Sequence, residues 1–225
     1  MEASVSDRSR GFAAAVDGLA WLASATAFAV SMSATPGPNN AMVTASGATW
    51  GFRRTLPHML GISVGFPAML VAVALGAGEV LRARPWLHEA LRWAGAAYLL
   101  WLAWKIGTAE PEPPGEEARG PSETNGSQPL SFAQAALFQW VNPKAWVIAL
   151  GAVAAYTTAA GSGLAAQAAV LALIFLLVSL PTVALWTLVG VGAARVLRTR
   201  RALRAFNLAM AALLVLSLAP LVLGG

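Results

Sequence analysis

From Gly18 to Phe52 the chain runs 35 residues without a charged side chain. As one straight helix that run would reach about 52 Å, against a bilayer hydrocarbon core of roughly 30 Å. It has to tilt, bend or break, and its own residues say where. Pro36-Gly37-Pro38-Asn39-Asn40 interrupts it near the middle. A second apolar run, Leu130 to Thr158, is interrupted in the same way by Asn142-Pro143-Lys144. Proline lacks a backbone donor and clashes with the preceding turn, so freed backbone groups need other partners. A lysine at membrane depth costs about 2.5–3.5 kcal/mol on insertion scales. The two runs are centred near residues 34 and 144, which puts both breaks close to the bilayer midplane. Matched breaks, one in each half, are the pattern of a binding site between the repeats of a membrane transporter.

Composition agrees. The chain is 57% hydrophobic and only 11% charged, where a soluble domain carries about 25% charge. So few charges cannot cover the surface of a soluble protein this long, and the class is a polytopic membrane protein. The net charge of +5 does not point to nucleic acid, because the arginines sit at the ends of apolar segments, as topology signals do. The chain has no cysteine, which excludes disulfides, thiol catalysis and cysteine-held metals. Two histidines, His58 and His88, are too few for a His-rich metal site. Neither a cofactor nor an enzymatic constellation of nucleophile and base is expected.

The spans read as Gly18–Phe52, Thr55–Gly78, Trp86–Gly107, Leu130–Thr158, Leu164–Ala194 and Ala205–Leu223. Residues 108–129, rich in Pro, Glu, Gly and Ser, read as a flexible acidic linker. Arg8 and Arg10 before an Ala-rich stretch resemble a signal peptide, but the apolar run is too long for one, so a retained first helix is expected. The halves 18–107 and 130–225 present the same features in the same order. Equivalent residues stand 105 (Pro38, Pro143), 114 (Pro67, Pro181) and 112 (Ala90, Ala202) positions apart. Three spans per half turn the second half upside down. The expected fold is therefore an all-α membrane protein of six transmembrane helices, one transporter domain built as two inverted-topology three-helix repeats, with helices 1 and 4 broken at proline motifs. Arg53, Arg54, Lys105, Arg119, Arg195, Arg198, Arg200, Arg201 and Arg204 fall in the loops of one side. Arg8, Arg10, Arg82, Arg84 and Arg92 fall on the other. The excess puts the first side in the cytoplasm and both termini outside.

Lys144, with backbone N–H groups freed by Pro143, either receives an anion such as a substrate carboxylate or lies at an interface or in a re-entrant loop and snorkels to water; an intramembrane charge favours the first. Asn39, Asn40 and Asn142 either bind polar substrate groups or cap the broken helix ends. Gln134 and Gln139 precede the second break and either line the pathway or bond between helices. Gly47-x-x-x-Gly51 and Gly61-x-x-x-Gly65 read as packing motifs, which allow a homodimer. Pro67 and Pro181 read equally as hinges or static kinks. Trp140 reads as a belt residue or a wall of the site. His58 and Arg53-Arg54 flank a helix start and read as interfacial anchors rather than as a proton relay. No Asp or Glu lies deep in a span, so no carboxylate for ion coupling is in view.

At these residues the chain resembles the LysE/RhtB family of amino-acid exporters. The resemblance rests on Thr35-Pro36-Gly37-Pro38-Asn39, on Phe52-Arg53-Arg54 leading to Gly61-x-x-x-Gly65, on Ala96-Ala97-Tyr98 through Trp104-Lys105, and on Asn142-Pro143-Lys144-Ala145. It implies a bacterial inner-membrane protein that exports amino acids or related small metabolites, driven by an ion gradient. Many members resemble one another in an acidic residue just after the second Gly of Gly-x-x-x-Gly. Here Phe66 takes that place and Pro67 follows. The departure turns the expected substrate from a cation such as lysine to a zwitterion with an apolar side chain. The alternative is an ion or metal-ion efflux protein or channel of related fold, which the missing cysteines disfavour for soft metals.

Overall fold

A computed structural model of the chain describes residues 2–109, 128–157, 163–197 and 199–219, with side chains from residue 16 onward except His88. Among the described residues there are helices and no strands. They are α1 (Glu2–Ala34), α2 (Pro38–Ala72), α3 (Gly78–Ala83), α4 (Pro85–Gly107), α5 (Phe132–Phe138), α6 (Pro143–Tyr156), α7 (Leu164–Val196) and α8 (Arg200–Leu216). A π-helical stretch, Val73–Ala77, joins α2 to α3, and a 3₁₀ turn, Gln139–Val141, ends α5. The acidic linker, apart from its two ends, lies outside the described residues, as do residues 158–162 before α7.

By length and composition, three stretches can cross a membrane: Val16–Ala34, Pro38–Ala83 and Leu164–Val196. The apolar α6 is shorter. Pro38–Ala83 is 46 residues, about 69 Å as a straight rod, more than twice the hydrocarbon core. Gly51 breaks it. Its φ of 76° and ψ of 172° are open to glycine and costly for other residues. The helix before it, Pro38–Trp50, is about 20 Å long, close to the length of α6. Each expected broken span is thus two helical pieces: the end of α1 with Pro38–Trp50, and α5 with α6.

Two sequence expectations change here. Arg53 and Arg54 do not occupy a loop: one glycine makes the turn, and the helix resumes at once. Arg195 ends α7, and Arg200, Arg201 and Arg204 begin α8. Thr199 caps that start, its Oγ1 accepting from the Ala202 N–H at 3.1 Å. The polar cap satisfies a backbone donor of the first turn, so helix begins where charge alone suggested loop.

Glycines set the packing. On α2, Gly47 lies against the Thr187 carbonyl of α7, and Gly190 of α7 lies against the Thr44 carbonyl of α2. Neither position has room for a Cβ. Thr44 Oγ1 donates to the Trp186 carbonyl at the same crossing, 3.1 Å. Further along, Gly61 and Gly65 receive α5 at Phe132 and Ala136. Such contacts let helix backbones approach closely, where lipid leaves little hydrophobic drive between helices. The Gly47-x-x-x-Gly51 reading is half corrected: Gly47 packs, whereas Gly51 has open space and serves the backbone turn. Pro67 and Pro181 both lie inside continuous helix.

Two apolar clusters complete the core. One joins Met42, Met59 and Ile62 of α2 to Leu99 and Leu102 of α4, Phe138 of α5 and Leu214 of α8. The other joins Ala25 and Ala29 of α1 to Phe66, Met69 and Leu70 of α2, Ala149 of α6, and Leu171 and Phe175 of α7. Phe66 meets Phe175 edge-to-face, ring centroids 5.0 Å apart.

Candidate substrate site

Both helix restarts are built alike. Pro38 opens α2 and Pro143 opens α6, each in the first turn, where a missing N–H costs nothing and φ is already helical. The residue before each proline, Gly37 and Asn142, is extended, as the proline ring requires. Asn142 Oδ1 accepts from the Lys144 N–H at 3.1 Å and so caps α6. Gly37 has no side chain to do the same for α2.

The two breaks meet crosswise. Each restarted helix has its N-terminus beside the C-terminal end of the other span's first piece. Asn39, at the start of α2, and Gln139, at the end of α5, exchange amide hydrogen bonds of 2.9 and 3.1 Å. Gln139 is fully buried and also donates to the Ala135 carbonyl at 2.9 Å. Lys144, at the start of α6, reaches the end of α1. Its Nζ donates to the Thr35 carbonyl at 2.5 Å and to the Pro36 carbonyl at 3.3 Å. Asn40 Nδ2 donates to the Ser33 and Thr35 carbonyls at 2.9 and 3.0 Å. Lys144 and Asn40 together thus satisfy the carbonyls that the end of a helix leaves orphaned. Gly37 makes the approach feasible, since a Cβ there would stand 2.7 Å from Lys144 Cδ.

Lys144, Asn142, Asn39, Asn40 and Gln139, separated by up to about a hundred residues in sequence, therefore stand together with Pro36, Gly37, Pro38 and Pro143. An ammonium has three donors, and among the described residues two are spent on carbonyls. Lys144 is half-buried, so it is neither sealed off nor free in solvent. The α2 N-terminus beside it lacks a side-chain cap and carries the positive end of a helix dipole. The chemistry on offer is one ammonium donor and an uncapped helix start, both suited to an anion.

Other sequence candidates lie elsewhere. Gln134 closes a capping box with Ser131, 3.0 and 3.2 Å, at the start of α5. Trp140 is half-buried beside the break, where its carbonyl accepts from Trp146 Nε1 at 2.7 Å. His58 is not an interfacial anchor: it is 2% exposed, inside the fold. A signal for this existed. His58, Ile62 and Gly65 recur at helical spacing on one face of α2, the face that carries packing.

The match to known proteins is to the model of the LysE type translocator, over residues 30–223, which includes both breaks. Curated relatives include cysteine/O-acetylserine efflux proteins of Escherichia coli (strain K12) and Shigella sonnei (strain Ss046), each 36% identical over 110 residues. That alignment covers 49% of this chain and 52% of each relative, so the chain spans about half the length of the curated relatives it matches. No solved structure matches. With three membrane-length helices and a family match across most of its length, the chain belongs to the LysE type translocators, a family of transporters rather than enzymes.

Proposed function

We propose that this chain exports a small zwitterionic amino acid, or a close derivative, across the bacterial cytoplasmic membrane by alternating access. The observation that carries the reading is Lys144. Its ammonium is fixed at the crossing of two broken helices by the Thr35 and Pro36 carbonyls, with a donor to spare. That donor and the uncapped start of α2 hold the substrate carboxylate. The absence of a deep carboxylate disfavours a cationic side chain, and the relatives named for cysteine and O-acetylserine efflux favour a small uncharged one.

The architecture proposed is six transmembrane helices in two inverted repeats, 18–107 and 130–225, joined by the linker at 108–129. Its support is that two pairs of counterpart elements pack on one another, α2 on α7 and α4 on α8. A two-fold axis in the membrane plane, running between the halves, would bring these counterparts together and would pass through the meeting of the two breaks. Both termini are assigned to the outer side from the arginine excess. The channel reading differs in kinetics: a carrier saturates and exchanges its substrate, whereas a channel gives linear flux without exchange.

The test is counterflow of radiolabelled L-cysteine or O-acetyl-L-serine in proteoliposomes. Losing one hydrogen bond to a charged partner costs about 1.5–3 kcal/mol, so Lys144→Ala should lower exchange by roughly 10- to 150-fold. Unchanged exchange would remove Lys144 from the mechanism.

A further inference from the structure

His58 has no part in the crossing, yet its position demands a reason. It is 2% exposed, and neither ring nitrogen has a hydrogen-bond partner among the described residues. An imidazole buried without a partner from the protein is costly, and an apolar side chain would fill the place without that cost. His58 faces a cavity lined by Met42, Ser46 and Thr49 of α2 and by Leu102 and Lys105 of α4. About 30 Å³ of it is open to the centre of a water molecule, enough for about two or three waters at roughly 10–15 Å³ each.

The hydroxyls of the wall are already engaged. Ser46 shares a hydrogen bond with Thr55 at 2.9 Å, and Thr49 Oγ1 donates to the Ala45 carbonyl at 2.9 Å. The imidazole is left as a titratable group with free bonding capacity. Of the elements packed on this part of α2, α4 brings one charge to the wall, Lys105. Its ammonium stands 5.4 Å from the centre of the Trp101 ring. α5, α7, α8 and the segment at 128–130 bring no charged residue to it. His58 also lies two turns beyond the Gly51 break, where the two parts of α2 join.

We propose that His58 is the proton-carrying group of the export cycle, a role that rests on the exporter reading above. A proton from water on one side bonds to the free imidazole nitrogen, and the imidazolium returns it to water on the other. Substrate moves the opposite way, and no other bond changes. An imidazolium at this buried position, on the same wall as Lys105, disfavours the present arrangement. Protonation therefore favours a conformer in which α2 has moved at Gly51 and the cavity is wet.

The experiment uses the full chain in proteoliposomes, with radiolabelled L-cysteine as the probe, and compares wild type with His58→Gln and His58→Leu. With an acidic lumen, wild type should accumulate cysteine, up to about tenfold per pH unit at one proton per substrate. Both variants should lose that accumulation and keep counterflow exchange at equal pH. His58→Leu should melt no lower than wild type, since it removes an unpaired buried polar group. A variant that still accumulates cysteine with the pH gradient would overturn the proposal. So would a wild type that exchanges but ignores the gradient. Loss of exchange and accumulation together in both variants would also overturn it, by making His58 part of the substrate path or the packing. A wild type with no counterflow of any amino acid would instead sink the exporter reading itself.

Discussion

Gln139 and Asn39 hold the crossing through a pair of amide bonds that neither residue could make within its own helix. Removing one partner leaves the other as a buried group without its bond, which costs about 1–3 kcal/mol. The thermal midpoints of Asn39→Ala and Gln139→Ala should both fall. The double variant should be less damaged than the sum, with a coupling of about 0.6–2 kcal/mol, as interhelical hydrogen bonds in membranes give. Strict additivity would mean that the pair does not hold the crossing. Asn142 has a different role, visible in its Oδ1 contact with the Lys144 N–H. Asn142→Asp or Asn142→Ser should keep the α6 cap, whereas Asn142→Ala should lose about 1 kcal/mol of stability. The sequence offered capping and substrate binding as alternatives for these amides. The geometry shows capping at Asn142 and Asn40 and leaves substrate contact as a proposal carried chiefly by Lys144.

At the scale of elements, the glycines divide by what surrounds them. Gly190 of α7 and Gly95 of α4 each face a backbone carbonyl, of Thr44 and Val141. A methyl group there cannot be accommodated by a side-chain rotation, so Gly190→Ala and Gly95→Ala should each cost about 1–3 kcal/mol or more. Gly192, two residues on, has nothing near its would-be Cβ. Gly192→Ala in the helix should be neutral or stabilising by up to about 1 kcal/mol. Melting curves of the three purified variants check the contrast, and equal effects would contradict the packing described. Much of this was legible in sequence, because Gly61-x-x-x-Gly65 and the prolines are local signals. Gly51 was not legible as a turn. Its spacing to Gly47 imitates a packing motif, and only its backbone dihedrals show that it breaks the helix. Arg53 and Arg54 added to the error, since charge next to an apolar run reads as loop when a single glycine suffices to redirect the chain.

For the whole molecule, sequence located both breaks from proline and asparagine within apolar runs, but it could not say that they touch. Asn39 and Gln139 stand a hundred positions apart, and no local pattern encodes that meeting. Only the order of features in the two halves hinted at it. His58 was misread for the related reason that burial is a tertiary property, and its helical register with Ile62 and Gly65 was the one clue. The proposed topology has a direct check, because the chain has no cysteine of its own. Single cysteines at Arg54 and Arg200 should react with an impermeant thiol reagent from the cytoplasmic side, and one at Trp86 from the other side. Labelling of all three from one side would refute the inverted arrangement. The central claim, that Lys144 receives the substrate carboxylate, is tested most directly by competition for counterflow between a free amino acid and its uncharged-carboxyl amide. Wild type should prefer L-cysteine over L-cysteine amide by about tenfold or more, and Lys144→Ala should lose the preference. Discrimination that survives unchanged in Lys144→Ala would contradict the account.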